Sequence, residues 1–286
     1  MNVRRRLAAL ASLVVLLGLI GAGAALLARD SHGREAQPAS TTPPPPPRPL
    51  RIVFPEGFNR NEMAERIAAV DRIAVQKRHV HPRLSAAAYL RATARSRLPG
   101  RFAGDKQVRS LEGFLFPATY DFRARTTSAQ LVRLQLAAFR RAWGSLDLRY
   151  ARSKNLTGYD VLIIASMVEK EAAAPEERAK IAAVIYNRLK ARMPLGIDAT
   201  IRYGLGIPAT EALRESQLKD SSPYNTRVHT GLTPTPIANP GLASLRAAAR
   251  PARANYLYFV RKPDKRHHFF TASYRAFVNY AKAHGY

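Results

Sequence analysis

The chain contains no cysteine. That absence excludes disulfide staples, thiolate metal sites, a cysteine nucleophile and a lipid-modified cysteine anchor. It does not assign a compartment, although a cysteine-free chain is at ease outside the cytoplasm. Acids are scarce too: 20 Asp and Glu stand against 46 Lys and Arg, a formal net charge of +26 over 286 residues. Such an excess suits an anionic partner, whether nucleic acid, lipid headgroups or an acidic polymer. The basic residues are spread along the chain, as a base-rich proteome would also give, and no nucleic-acid-binding signature accompanies them. The histidines form no H-E-x-x-H and no acid-flanked pair at metal spacing; His267-His268 reads as a strand or loop pair. Ser166 lies outside any G-x-S-x-G frame, and GLGIP at 204–208 is no phosphate loop. The sequence therefore predicts neither a metal nor a cofactor, and no internal repeat is visible.

What is present begins with a hydrophobic run. Residues 7–28, LAALASLVVLLGLIGAGAALLA, carry no charge, and Arg4, Arg5 and Arg6 precede them. A bilayer core needs about 20 apolar residues as a helix. The positive-inside rule then places residues 1–6 in the cytoplasm and everything after residue 28 on the far side. Ala22-Gly23-Ala24 also resembles a signal-peptidase site, but the run exceeds the usual apolar core of about 7–15 residues, which favours an uncleaved anchor. Both readings export the remainder and argue against a nucleic-acid partner. Residues 29–49 follow as a linker whose five consecutive prolines favour extended polyproline II.

From residue 50 the composition turns globular; 47% of the whole chain is hydrophobic, enough for real cores. LRIVFPEGFNRNEMAERIAAV predicts a strand, a glycine turn and a helix opened by an Asn59–Glu62 capping box. More helix is expected over 84–97. LEGFLFPATYDF, 111–122, is broken by Gly113 and Pro117 and reads as loop or short extended chain. Residues 128–145 predict an amphipathic helix with Leu131, Leu134, Leu136, Ala137 and Phe139 toward the core. Thr157 and Asp160 are candidate N-caps for a helix whose stretch Val161–Val168 is apolar on nearly every side, and which is therefore central. A second helix is expected near Pro175 with Glu176 and Glu177 in its first turn. Residues 195–242 read as long loops around a site, and Asn239-Pro240 as a helix start. Strands are expected at 256–260 and 267–270, and a last helix from about Ser273. The fold class is α+β, with helices dominating the middle.

The central helix ends in Glu169, Lys170 and Glu171. Residues two apart on a helix point about 200° away from each other, so both acids cannot face one cleft. Glu171 shares a stripe with Ile164, Met167 and Val168 and is expected to lie against apolar side chains. Desolvation there would raise its pKa and keep it protonated near neutrality, as a general acid requires. Glu169 shares its face with Ala165 and Ser166 and reads as structural or exposed.

LEGFLFPATY, ASMVEKEA, ERAKIAAVIYNRL, SPYNTRVHTGL, PIANPGLASLRAAARPA and YLYFV occur in that order. Together they make residues 50–280 resemble the YceG-like endolytic murein transglycosylases of bacterial inner membranes. The resemblance implies a single-pass anchor with the N-terminus in the cytoplasm, a small LysM-like α/β subdomain at 50–110, and a mainly helical, lysozyme-like catalytic domain at 111–286 outside the cytoplasmic membrane. It implies cleavage of the MurNAc–GlcNAc bond within nascent peptidoglycan strands, with a 1,6-anhydro-MurNAc end that terminates elongation. Glycan strands are the implied ligand and peptidoglycan synthases the implied partners. The family's catalytic acid, the second Glu of E-K-E, falls on Glu171. Asp198, Thr200, Tyr224, Asn225 and Asn239 lie in motif-bearing loops as residues that hold sugar or shape the cleft, each with a turn or cap role as the alternative. Glu112 is expected at a contact between the two regions. Thr233 stands where the family commonly has proline. A non-catalytic peptidoglycan-binding scaffold and a water-using muramidase remain the rival functions.

Overall fold

The computed structural model describes residues 49–94, 102 and 110–286. The hydrophobic run at 7–28 and the proline linker up to residue 48 lie outside the described residues. No described helix is long and apolar enough to cross a membrane.

The chain opens with strand β1 (Leu50–Val53), a turn at Gly57, and helix α1 (Arg60–Arg78). Asn59 caps α1 by accepting from Glu62 N, while the Glu62 carboxylate accepts from Asn59 N, the expected capping box. Helix α2 spans Ala86–Ala94. The 111–122 segment resolves into a buried loop followed by strand β2 (Thr119–Phe122), which pairs antiparallel with β1 in the register Leu50↔Phe122 to Val53↔Thr119. That pairing carries the first sheet across the boundary placed at residue 110.

Helix α3 (Ser128–Gly144) buries Leu131, Val132, Gln135, Leu136, Phe139 and Trp143. Leu134, expected inside, is 46% exposed, and Ala137 is only partly buried. The buried stripe instead includes Gln135, whose amide oxygen accepts the Tyr89 hydroxyl proton at 2.8 Å. A satisfied polar partner makes burial of that amide tolerable, and periodicity of apolar residues cannot register it.

After a short helix α4 (Arg149–Arg152) comes the central helix α5 (Gly158–Glu171). Thr157 is its N-cap, and Asp160 completes the capping box by accepting from Thr157 N. Every residue from Val161 to Val168 is buried. Each large aliphatic side chain there gains about 1.5–3 kcal/mol from leaving water. The one polar member, Ser166, is satisfied: its hydroxyl donates to Ile163 O at 2.7 Å and accepts from Ile237 N at 3.0 Å, tying the 233–239 loop to α5. Gly113 permits a second tie. Its φ of +88° suits glycine, and a Cβ there would meet Pro236 Cγ at 2.6 Å and Leu162 at 3.1 Å.

Pro175–Glu177 form a 3₁₀ turn rather than a first α-helical turn, and α6 (Arg178–Lys190) follows. The 195–242 region contains two short helices, α7 (Asp198–Leu205) and α8 (Glu215–Leu218), between its loops. Helix α9 (Leu242–Ala249) is capped by Gly241 without a side-chain hydrogen bond, not by Asn239. Asn239 is turned inward, where buried backbone needs its amide more than the helix start does. Helix α9 packs along α5, and both contact α6. Strands β3 (Tyr258–Arg261) and β4 (His268–Thr271) form an antiparallel hairpin against α6, and α10 (Tyr274–Ala283), capped by Ser273, closes the chain on it.

Candidate active site

The end of α5 is the point around which the acids gather. Helix α5 stops at Glu171 because Ala172 turns extended (φ −81°, ψ 103°) and Pro175 cannot continue a helix. Three contacts fix that last turn. The Glu169 carboxylate accepts from Gly241 N at 2.9 Å and lies 3.7 Å from the Arg178 guanidinium, with its side chain 6% exposed. Lys170 Nζ donates to Gly57 O at 3.3 Å. The Glu56 carboxylate packs onto Gly241, where any Cβ would collide with it. Glu169 is thus a buried anchor between α5 and α9; of the two readings left open for it, exposure does not apply.

With Glu169 committed to one side, the helical twist sends Glu171 to the other. Glu171 lies deep in the protein yet remains partly open to water. Among the described residues no group hydrogen-bonds its carboxyl. Desolvation and, second, the Asp198 carboxylate push its pKa up to about 7, while Arg261 and Arg227 pull against the rise. An acid with that pKa is partly protonated at neutral pH and can both give and take a proton.

Asp198 is placed near Glu171 by its own loop. Gly196, with φ +63°, donates to Thr226 O at 2.9 Å, and Ile197 N donates to Thr226 Oγ1 at 3.0 Å. Thr200, fully buried, donates to Ile197 O at 2.6 Å and is hydrogen-bonded to Thr226 Oγ1 at 3.0 Å. Arg227, next in chain after this knot, holds the Asp198 carboxylate at 2.6 and 2.8 Å. Asn225 is fully buried, donating to Leu218 O and Asp220 O and accepting from Arg227 N, so it sets the loop that carries Arg227. Thr200 and Asn225 spend their polar atoms on protein partners and set the loops that carry Asp198 and Arg227. Thr233, in the next loop, is buried and donates to Thr235 O at 2.8 Å. Tyr224, partly buried, keeps one ring face on Tyr203 at 5.3 Å and bonds Thr235 Oγ1 through its hydroxyl at 2.9 Å.

Glu112 and Asn239 form a separate buried knot. The Glu112 carboxylate accepts from Arg60 N at 3.1 and 3.2 Å, from Asn239 Nδ2 at 2.9 Å and from Tyr203 Oη at 3.1 Å. Asn239 also donates to Phe58 O and accepts from Leu115 N. Burial pushes the Glu112 pKa up to about 7 against the pull of these donors. The knot joins the start of α1 to α7 and to the loop before α9.

Sequence reasoning singled out Glu171 and Asp198, which the fold brings together. It missed Arg178, Arg227, Arg261 and Tyr203, whose roles depend on partners far away in sequence. The basic residue two after Asn225 was the one available signal, since it sat inside a motif already read. His267 and His268 do not gather as a metal site. His268 Nδ1 bonds the buried Glu177 carboxylate at 2.7 Å, and Glu177 also accepts from His268 N. This pair pins β4 to the start of α6, and through the register Arg261↔His268 it locates Arg261. Among the described residues no three His, Asp or Glu cluster to hold a metal.

With this geometry in hand, comparison with known proteins is decisive about kinship. A family profile described as "YceG-like family" matches residues 26–283. The chain belongs to the YceG-like family. An endolytic murein transglycosylase of Bacillus subtilis is 34% identical over 75% of this chain and 60% of its own length. One from Streptococcus pneumoniae strain R6 is 41% identical over 52% of this chain and 28% of its own length. The chain therefore spans between about a quarter and three-fifths of these curated relatives. A yceG-like protein of Listeria monocytogenes has a similar crystal structure, with TM-score 0.62 and 28% identity, over 81% of this chain and 76% of that one. The mixed architecture of helices and small sheets agrees with that YceG-like structure.

Proposed function

We propose that this chain is an endolytic lytic transglycosylase of peptidoglycan with Glu171 as its catalytic acid and base. One observation carries the reading: a carboxyl at the end of a buried helix, with no hydrogen-bond donor to it among the described residues and its pKa pushed up to about 7. The two streptococcal and bacillar relatives that bear the name endolytic murein transglycosylase support it.

Protonated Glu171 gives its proton to the oxygen bridging MurNAc and GlcNAc. The C1–O bond breaks with the electron pair going to that oxygen, and positive charge develops at C1 of the muramic ring. The Glu171 carboxylate then takes the proton of that ring's own 6-hydroxyl as O6 bonds to C1. The product is a 1,6-anhydro end, and the acid has regained its proton without a water entering. Asp198 and its ion pair with Arg227 tune the acid.

The hydrolytic muramidase has one observation in its favour, the second carboxylate of Asp198, since hydrolysis commonly uses two. A non-catalytic scaffold would bind glycan without turnover. Digestion of purified murein followed by mass spectrometry separates the three. Anhydro ends support the transglycosylase, reducing ends support the hydrolase, and intact bound glycan supports the scaffold. The same reading includes the 7–28 run as an uncleaved inner-membrane anchor, a LysM-like N-terminal part, extracytoplasmic catalysis and contact with peptidoglycan synthases. Membrane fractionation with protease accessibility tests the topology.

A further inference from the structure

A concavity lies apart from Glu171, where the C-terminal end of α3, the Pro175–Glu177 turn and α9 meet. It encloses about 450 Å³. Its floor is apolar, made by Leu146, Ala179, Ala243 and Ala247. Arg178, Arg246 and Arg250 stand around it. Two acids also line it, but each is already neutralised: Asp147 by Arg149 at 2.7 Å and Glu176 by His267 at 3.1 Å. Arg246 has no carboxylate within 4 Å among the described residues; Arg250 has none that close either, and, after Arg149, its charge helps hold the Asp147 carboxyl low. Many surface arginines of so basic a chain are similarly unpaired. What distinguishes these is concavity over an apolar floor, the arrangement that recognises a ligand carrying carboxylates beside small apolar groups.

We propose that this pocket binds the acidic, alanine-rich stem peptide carried by the muramic units of peptidoglycan, as a second contact with the polymer cleaved at Glu171. The inference rests on the transglycosylase reading for the identity of the polymer. Its position supports it. Arg178 forms part of the pocket wall and also contacts Glu169, the anchor on the side of α5 away from Glu171. The pocket begins at Pro175, in the turn that follows the helix end. It therefore lies on the Glu169 side of α5, with Arg246 and Arg250 further along α9 from the Gly241 contact. The alanyl methyl groups would meet the alanine-lined floor, and the free carboxylates would meet Arg246 and Arg250 in charge-assisted contacts.

The test compares the full-length protein in detergent on two substrates: peptide-bearing glycan strands, and the same strands stripped of peptide by an amidase. The wild type is expected to show a KM about tenfold lower on the peptide-bearing strands. The Arg246→Ala/Arg250→Ala double variant is expected to lose that preference, and the Arg246→Lys/Arg250→Lys variant to keep most of it. Melting curves check that each variant is folded. An unchanged KM ratio in the alanine variant overturns the proposal. If the wild type cleaves neither substrate, the transglycosylase reading itself has failed. Binding by the wild type is measured in parallel with the isolated stem peptide, inorganic phosphate and anionic-lipid vesicles. Peptide binding abolished in the alanine variant supports the proposal, even if that variant is too unstable for kinetics on strands. Equal binding of phosphate, or binding of vesicles without peptide, overturns it.

Discussion

Replacing Glu171 by Gln removes the proton while keeping the shape of the side chain. If this carboxyl serves as both acid and base, kcat on murein should fall by at least about 10²–10⁴, the usual worth of general acid–base catalysis. The same variant makes an opposite prediction for stability. The folded carboxyl titrates at about 7, raised from an ordinary 4.5, so the native state holds a proton that the unfolded chain gives up. Relative to an uncharged residue, Glu171 costs nothing below about pH 4.5, and its cost grows as pH rises from there to about 7, above which it is fully present. At pH 8 the wild type carries an anion in a desolvated place, at a cost of about 2.5 × 1.36, or about 3 kcal/mol at most. Residual contact with water reduces that, so Glu171→Gln should be about 1–3 kcal/mol more stable than wild type at pH 8 and equal to it near pH 4. For a chain this size that raises Tm by about 2–10 °C at the higher pH only. Thermal melting of both proteins across pH 4–8, beside release of muropeptides from murein, measures the two effects together. An inert variant with no pH-dependent stabilisation would show that the acid is not desolvated. A variant that cleaves normally would remove Glu171 from the chemistry.

The pH dependence of wild-type cleavage should show an alkaline limb near pH 7, where the acid loses its proton; a flat profile to pH 9 would contradict the assignment. Asp198→Asn removes the neighbouring anion and frees Arg227, so that limb should move to lower pH in the profile of kcat/KM, and an unmoved limb would separate Asp198 from Glu171. Glu112→Ala takes the acceptor from Arg60 N and Tyr203 Oη and one of two acceptors from Asn239 Nδ2; chemical denaturation should report a loss of about 3 kcal/mol or more. Gly113→Ala places a methyl 2.6 Å from Pro236 Cγ at a φ of +88°, and should cost about 2–4 kcal/mol in the same assay.

Local structure was legible in the sequence wherever the signal itself was local. Capping pairs at Asn59–Glu62 and Thr157–Asp160 act over three residues, and both form as read. The apolar run of α5 could only be central, because no other placement buries residues on every face. Helical geometry alone separated Glu169 from Glu171. Leu134 and Asn239 were misread for one shared reason. Whether a polar side chain can go inside depends on a partner, and those partners, Tyr89 for Gln135 and Glu112, Leu115 and Phe58 for Asn239, lie 46 and between 124 and 181 positions away.

The sequence by itself determined the helix that carries the acid, that its two glutamates face different ways, and kinship with the YceG-like family, because period, caps and motif order are properties of neighbouring residues. Only the tertiary structure decided that Asp198, Arg227 and Arg261 surround that acid, that Glu169 is an anchor, and that three arginines line a hollow beside α9. Charge and desolvation act through space, and the chain's order does not encode those distances until it is folded.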